Sequence, residues 1–323
     1  MNLPLVVLNG PTASGKSSLA IALCLELQRR GQPAEIVNAD SMLVYRGMDI
    51  GTAKPSREEL ALVRHHLVDV AEVREQASVA DFHREAREVI ADLRGSGVVP
   101  VLVGGSALYV HAIVDEFSFP STDPEVRARH EAELERVGAH ALHAQLAEQS
   151  PEVADRIEPG NGRRIVRALE VLEITGSFSS QLPQWSHALG EVHQFGLQLE
   201  RATMDRRINE RVEQMWAEGL VGEVRALEAR GLRDGVTASR ALGYRQVLQF
   251  LDGEISEQEA RERTKAGTRR FARKQLSWFR RDPRVRWLDA GEGSTIEGLV
   301  AQVLSDPELA AALAAAGTGQ PNG

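Results

Sequence analysis

Gly10, Gly15, Lys16 and Ser17 meet the spacing G-x-x-x-x-G-K-[ST], with Pro11, Thr12, Ala13 and Ser14 between the glycines. Glycines at these positions let backbone N–H groups turn inward around phosphate oxygens. The N-terminus of a following helix adds partial positive charge. Lys16 supplies a full charge, and the Ser17 hydroxyl is a ligand for Mg²⁺. An apolar run over residues 3–8 precedes the loop and a helical pattern over 16–28 follows it, which is the setting the motif requires. The chemistry is the holding of phosphates; whose phosphates, and what is done with them, the loop alone leaves open.

Two more polar groups fall at the ends of apolar runs. Residues 34–38, AEIVN, read as a strand, and Asp40 follows in ADSMLVYRGMDIGTAKP. A carboxylate there suits a general base, or a Mg²⁺ partner acting through water. An aspartate that only forms a turn is equally consistent with the pattern. The same segment carries Tyr45, Arg46, Asp49, Thr52 and Lys54, much polar chemistry for a connection. Gly104-Gly105-Ser106 ends the run 98–103, again a turn with a hydroxyl. His65 and His66 are adjacent and point to opposite sides of any regular element. No Cys or His stands near them at metal-ligand spacing, so no metal site is expected there.

Something must bring these loops together. Apolar runs at 3–8, 34–38, 98–103 and 192–199 alternate with helical patterns, and VRWLDA is a candidate last strand. The expected fold is α/β: a P-loop NTPase-like parallel sheet flanked by helices, with ligands at the carboxyl ends of its strands. Residues 1–114 form the first part of this core. Residues 115–190 are polar, arginine-rich and helical, and are expected as an all-helical insertion. The core resumes over 191–290 with basic C-terminal helices. The Ala/Gly-rich residues 291–323 are expected as a tail, a short helix followed by disorder.

Composition narrows the classes. The chain has 323 residues, 42% hydrophobic and 26% charged, as globular proteins do. No apolar run of about 18 residues suggests a membrane span, and no secretory leader is evident, so a cytoplasmic location is expected. The single cysteine, Cys24, has no internal disulfide partner. The net charge is −8, yet residues 261–287 hold eleven basic residues against two acidic, a local excess of nine. In RRFARKQLSWFRR, Phe271, Trp278 and Phe279 interleave with arginines. Such a helix suits a polyanion whose bases stack on aromatics and guanidinium groups, while its apolar side packs inward. On these residues alone, a small-molecule or nucleotide kinase and a non-catalytic, nucleotide-switched RNA binder also stay open. The extended basic region weakens the kinase, whose small acceptor would not need it.

GPTASGKS, ADSMLVYRGMDIGTAKP, HHLVDV, ADFHREA, VLVGGSALYV, DPEVRAR, RRIVRALEV, ALGYRQV and RKQLSWFRRDPR follow one another in this chain. In that order they resemble the signatures of bacterial tRNA dimethylallyltransferases, from about residue 5 to residue 288. The resemblance implies that the loop holds dimethylallyl diphosphate and that the acceptor is N6 of the adenosine 3′ of the anticodon. The tRNAs would be those reading codons that start with U, and Mg²⁺ would assist. It implies Asp40 as base, Ser106 where the family usually has threonine, and Lys16 on the departing diphosphate. An arginine of R-x5-RI-x2-R would join Lys16, Arg201 first and Arg207 second. It assigns tRNA contacts to Asp40, Ser41, Met42, Leu43 and Ser106, and to Arg127, Arg163, Arg164, Ile165, Val166 and Arg167. Further contacts fall on Arg240, Gly243, Tyr244, Arg245, Arg273, Lys274, Gln275 and Trp278. A monomer is expected.

Overall fold

In the computed structural model the described residues are 3–76, 78–116, 119, 122–178 and 185–317. Six strands form one sheet: β1 (Leu5–Asn9), β2 (Ala34–Asn38), β3 (His65–His66), β4 (Val99–Gly104), β5 (Val192–Gln198) and β6 (Arg286–Asp289). Their order is β3-β2-β4-β1-β5-β6, and every pairing is parallel. Side chains alternate across β1. Leu5 and Val7 join one core with Val37 and Leu102; Val6 and Leu8 join the other with Ile36, Val101 and Val103. Both faces are covered, so β1 and β4 carry apolar residues at consecutive positions, Leu5 to Leu8 and Val99 to Val103.

The first part of the chain supplies helices α1 (Lys16–Arg29), α2 (Arg57–Leu62), α3 (Val79–Gly95) and α4 (Ala107–Val114). A second compact unit, Glu116–Ser186, follows. It contains α5 (Pro124–Val137), α6 (Ala139–Gln149), α7 (Pro151–Ala154) and α8 (Gly162–Thr175) around Leu142, Leu146, Ile157, Ile165 and Leu169. Its one fully buried carboxylate among the described residues, Glu170, accepts from Arg127, Arg167 and the Asp123 N–H. The first unit resumes at His187, four residues before the expected boundary. Ala188 N–H donates to Val114 C=O at 2.9 Å, so the departing and returning strands of chain lie side by side.

The returning chain builds α9 (Arg201–Ala217), α10 (Leu220–Ala229), α11 (Tyr244–Leu251) and α12 (Glu257–Phe279). α9 and α10 are separate helices because the backbone turns at Gly219, φ 101°, in the left-handed region. After β6 the chain forms α13 (Ile296–Leu304) and α14 (Pro307–Gly317). In place of the one short helix expected, the tail forms two packed helices. Leu299, Val303, Leu304, Leu309 and Leu313 are buried with α1's Leu23 and Leu27 in the second core. Thr295 caps α13, Asp306 accepts from Leu309 N–H at the start of α14, and Gln32 donates to Leu313 C=O. Only 318–323 of that tail lies outside the described residues. No single described helix is long and apolar enough to cross a membrane.

Where the chain leaves the first unit, Asp115 is fully buried and takes both forks of Arg284, at 2.6 and 2.8 Å, together with His111 Nδ1. Arg284 also holds Asp282, which accepts from Gln194 on β5, and Gln194 accepts from Asn9 at the end of β1. Burial by itself would raise the Asp115 carboxyl, but the Arg284 and His111 hydrogen bonds outweigh it and hold it below the usual carboxylate range. A depressed carboxyl stabilises above its unfolded value and loses that contribution as pH falls through the folded one. Asp115→Ala, which removes one of the two carboxylates that hold Arg284, is expected to cost about 1.5–3 kcal/mol in urea unfolding at pH 7. Below about pH 4 the wild type should lose stability more steeply than Asp115→Asn.

Candidate active site

The phosphate loop leaves β1 at the middle of the sheet and enters α1. Residues 12–18 line a cavity of about 230 Å3, with Gly10 and Pro11 buried beneath. Ala13 sits at φ 65°, a left-handed conformation that a residue with a Cβ adopts at a cost. Lys16 and Ser17 begin α1, whose first-turn N–H groups have no carbonyl partner within the helix. An anion in this cavity therefore meets backbone N–H groups, an ammonium and a hydroxyl together.

Asp40 follows β2 on the next-but-one strand. Buried Asn38 shapes its turn: Asn38 Oδ1 accepts from Asp40 N–H at 2.8 Å, and Nδ2 donates to the carbonyls of Asp40 and Leu67. Asp40 Oδ1 accepts from Met42 N–H at 2.9 Å, an Asx-type turn. The turn-forming and functional readings of Asp40 are thus compatible. Its carboxylate lines the phosphate-loop cavity and also a second, largely apolar cavity of about 390 Å3. Four residues line both: Thr12, Asp40, Thr52 and Arg211.

Arg211, rather than Arg201 or Arg207, lines both cavities. Ile208, Arg211, Val212 and Met215 recur at helical spacing and line the larger cavity. Arg201 starts the same helix, ten residues or about 15 Å of axis away. Its side chain is 75% exposed and approaches Asp205 instead. Arg207, one turn before Arg211, lines neither cavity. The third arginine of R-x5-RI-x2-R carried the signal; helical phase from Ile208 selects it. Ser106 lines the larger cavity as the N-cap of α4, where its hydroxyl makes no capping bond.

The residues around these groups are spent on the frame. Lys54, 3% exposed, bonds Asp49, Asp69 and the Tyr45 carbonyl, so it is a structural cation. Glu223 of α10 accepts from three successive N–H groups, Asp49, Ile50 and Gly51, and from the Tyr244 hydroxyl at 2.6 Å. Burial, then the Glu223 charge, drives the Tyr244 hydroxyl far up, so it stays a donor. This pins the 41–52 segment against α10 and α11. Neither Glu223 nor its partner loop carries a sequence motif that announces the contact.

Of the expected tRNA contacts, Ser41, Met42, Arg240 and Tyr244 line the larger cavity, and Leu43 lines the smaller. Gly243 is buried, and Gln275, also buried, lines the larger cavity too. Arg245 and Lys274 are exposed, Arg273 is half-buried near Asp205, and Trp278 lies under Arg281. Phe271 is 44% exposed at the cavity, whereas Phe279 is core. In the inserted unit Arg163 and Arg164 are exposed, but Ile165 and Val166 are in its core, where their side chains cannot meet RNA. Arg127 and Arg167 are paired to Glu170.

Burial pushes the Lys16 ammonium down to about 8; Asp40 opposes this and Arg211 adds to it. A polyanion beside Lys16 favours its charged form, so binding restores the proton that Lys16 lacks above that value. The affinity for inorganic diphosphate is expected to fall as pH rises through about 8, with proton uptake on binding. Calorimetry in buffers of different ionisation enthalpy reads both, and Lys16→Arg should remove most of the dependence.

The chain is similar to known proteins over most of its length. Residues 43–282 match the family model described as IPP transferase. The chain is 59% identical over 305 residues to a tRNA dimethylallyltransferase of Kineococcus radiotolerans, covering 94% of this chain and 96% of that protein. It is 58% identical over 301 residues to the tRNA dimethylallyltransferase of Thermobifida fusca, covering 93% and 94%. Its fold superposes on the crystal structure of the full-length tRNA isopentenylpyrophosphate transferase of Bacillus halodurans, with a TM-score of 0.70, 36% identity and 98% of each chain covered. The phosphate loop, the Asp40 turn and the parallel sheet that carries them therefore belong to a member of the IPP transferase family, the tRNA dimethylallyltransferases.

Proposed function

We propose that the chain transfers a dimethylallyl group from dimethylallyl diphosphate to N6 of the adenosine 3′-adjacent to the anticodon, in tRNAs reading codons that start with U. The observation that carries this reading is the meeting of two cavities at Thr12, Asp40, Thr52 and Arg211. One is polar and built on the phosphate loop; the other is largely apolar and opens beside the basic helix α12. A prenyl diphosphate is an ionic head on an apolar tail, and it needs both.

In this reading the diphosphate lies against residues 12–18, and the five-carbon chain lies toward Ile208, Val212 and Met215. The adenine amino group is a weak nucleophile, because its lone pair is delocalised into the ring. It needs positioning and a base. The new bond joins N6 to C1 of the allyl group while the C1–O bond to diphosphate breaks. The N6 proton passes to the Asp40 carboxylate, and the bonding electrons leave with the diphosphate. Lys16 and Arg211 stand where that charge accumulates. Ser106 presents a hydroxyl beside the same cavity for hydrogen bonding. Ser17 and Asp40 offer the hydroxyl and carboxylate oxygens that Mg²⁺ accepts, and such an ion would neutralise charge on the leaving diphosphate.

The acceptor adenosine must leave the anticodon-loop stack, at roughly a few kcal/mol. The exposed Phe271 and the arginines of α12 are suited to holding a splayed loop. Arg163 and Arg164 of the inserted unit offer further charge for the phosphate backbone.

The test is incubation with Mg²⁺, dimethylallyl diphosphate and unmodified tRNA, followed by digestion and mass spectrometry for adenosine bearing one dimethylallyl group. Asp40→Asn should lower the transfer rate about 10²–10⁴-fold. Arg211→Gln should lower it about 10²–10³-fold, while Arg201→Ala leaves it nearly unchanged. Equal losses at Arg201 and Arg211 would return the sequence-based choice.

A further inference from the structure

Gln275 lies about one turn before the end of the basic helix α12 and yet is only 5% exposed. Its amide reaches across to two loops that the sequence separates widely. Oε1 accepts from the Thr12 N–H of the phosphate loop at 3.0 Å. Nε2 donates to the Gly105 carbonyl, beside Ser106, at 2.7 Å. Both ends of the amide are therefore used, in one orientation. The contact is tight on the other side too: a Cβ on Gly105 would lie 2.5 Å from Nε2, 3.3 Å from the Gly10 carbonyl and 3.4 Å from Lys16 Nζ. The helix, the phosphate loop, the Ser106 loop and the Lys16 ammonium converge on this point.

The neighbours of Gln275 have a different outlook. Lys274 is exposed and Arg273 half-buried on one side, and the half-buried Trp278 lies one turn on. Phe271, one turn before, is exposed at the larger cavity. A polyanion engaging these groups pulls on the same helical segment whose buried face grips Thr12. The amide also takes the Thr12 N–H out of the set free to cradle phosphate, so the lip of the loop is set by the position of α12.

We infer that Gln275 is a positioning residue: its amide couples RNA docking on α12 to diphosphate binding in the phosphate loop. The inference rests on the proposed function, because it requires both ligands. Coupling of this kind is reciprocal: RNA tightens diphosphate binding by the same factor by which diphosphate tightens RNA binding. A neutral side chain of similar length that cannot bond, as in Gln275→Met, unties the two loops and leaves the exposed basic side chains in place. Gln275→Glu keeps an acceptor for Thr12 but puts a carboxylate against the Gly105 carbonyl and adds charge near Lys16, so it should be the more damaging for diphosphate.

The experiment is a binding cycle with the full chain, using inorganic diphosphate with Mg²⁺ and an unmodified anticodon stem-loop RNA. Diphosphate affinity is measured without and with saturating RNA, and RNA affinity without and with saturating diphosphate. The wild type should show the same factor in both directions, about tenfold. In Gln275→Met the factor should fall to near one, while RNA affinity in the absence of diphosphate stays within about twofold of wild type. A wild type with no coupling overturns the inference without any variant. A Gln275→Met protein that retains the full factor also overturns it. If Gln275→Met does not fold by thermal melting, Gly105→Ala, which displaces Nε2 from the other side, takes its place with the same expected loss. A chain that binds no RNA, or transfers no dimethylallyl group, overturns the functional reading and this inference together. RNA binding and transfer without coupling overturn this inference alone.

Discussion

Lys16, Asp40 and Arg211 set the constraint that the rest of the structure serves: two cations and one carboxylate must stand together beside an opening and remain available to a ligand. Charges placed this close would ordinarily neutralise one another or move out to water. Lys16 is kept in place by burial at the head of α1, which draws its ammonium down toward the neutral form. Asp40 is fixed by the Asn38 turn and the Met42 N–H. Arg211 is fixed by its phase on α9. The surrounding polar groups are satisfied elsewhere: Lys54 by two aspartates, Glu223 by three N–H groups and a tyrosine, Gln275 by two loops. A frame with its own polar groups closed leaves the central charges facing the cavities.

That division of labour explains what could be read from the sequence. The strands, the phosphate loop and the Asp40 turn are local: each is specified by residues close together in the chain, and all four predicted apolar runs are strands of the sheet. VRWLDA also forms a strand, β6, from Arg286 to Asp289. β3 has only two residues, too few to show any periodicity. Motif order points to Arg201 first and Arg207 second, whereas the arginine that lines both cavities, Arg211, is selected by helical phase, which needs a partner surface to define which face matters. Residues 291–317 look like an alanine-rich tail by composition, but their leucines and valines recur at helical spacing and find α1. Gln275 reads as part of a basic RNA-facing run, and nothing in a linear sequence tells that its side chain points inward to residues 105 and 12.

Charge is distributed with the same economy. An overall charge of −8 coexists with a basic helix, so attraction for a polyanion is confined to one element. On α12 the inward residues Ala272, Gln275, Leu276 and Phe279 pack, while Arg270 and Lys274 are exposed. The inserted unit repeats the pattern on a smaller scale. Ile165 and Val166 build its core, Arg163 and Arg164 face out, and Glu170 fixes Arg127 and Arg167 rather than leaving them free. Runs that look uniformly suited to RNA in one dimension thus divide by face into scaffold and surface.

The central claim is that one substrate spans both cavities and passes the Asp40–Arg211 boundary. A crystal structure with Mg²⁺ and the unreactive thiolo analogue of dimethylallyl diphosphate tests it most directly. The account predicts the diphosphate against residues 12–18 with Lys16 in contact, the reactive carbon at Asp40 and Arg211, and the branched tail toward Ile208, Val212 and Met215. Diphosphate bound away from Lys16, or a tail turned out of the larger cavity, would contradict it.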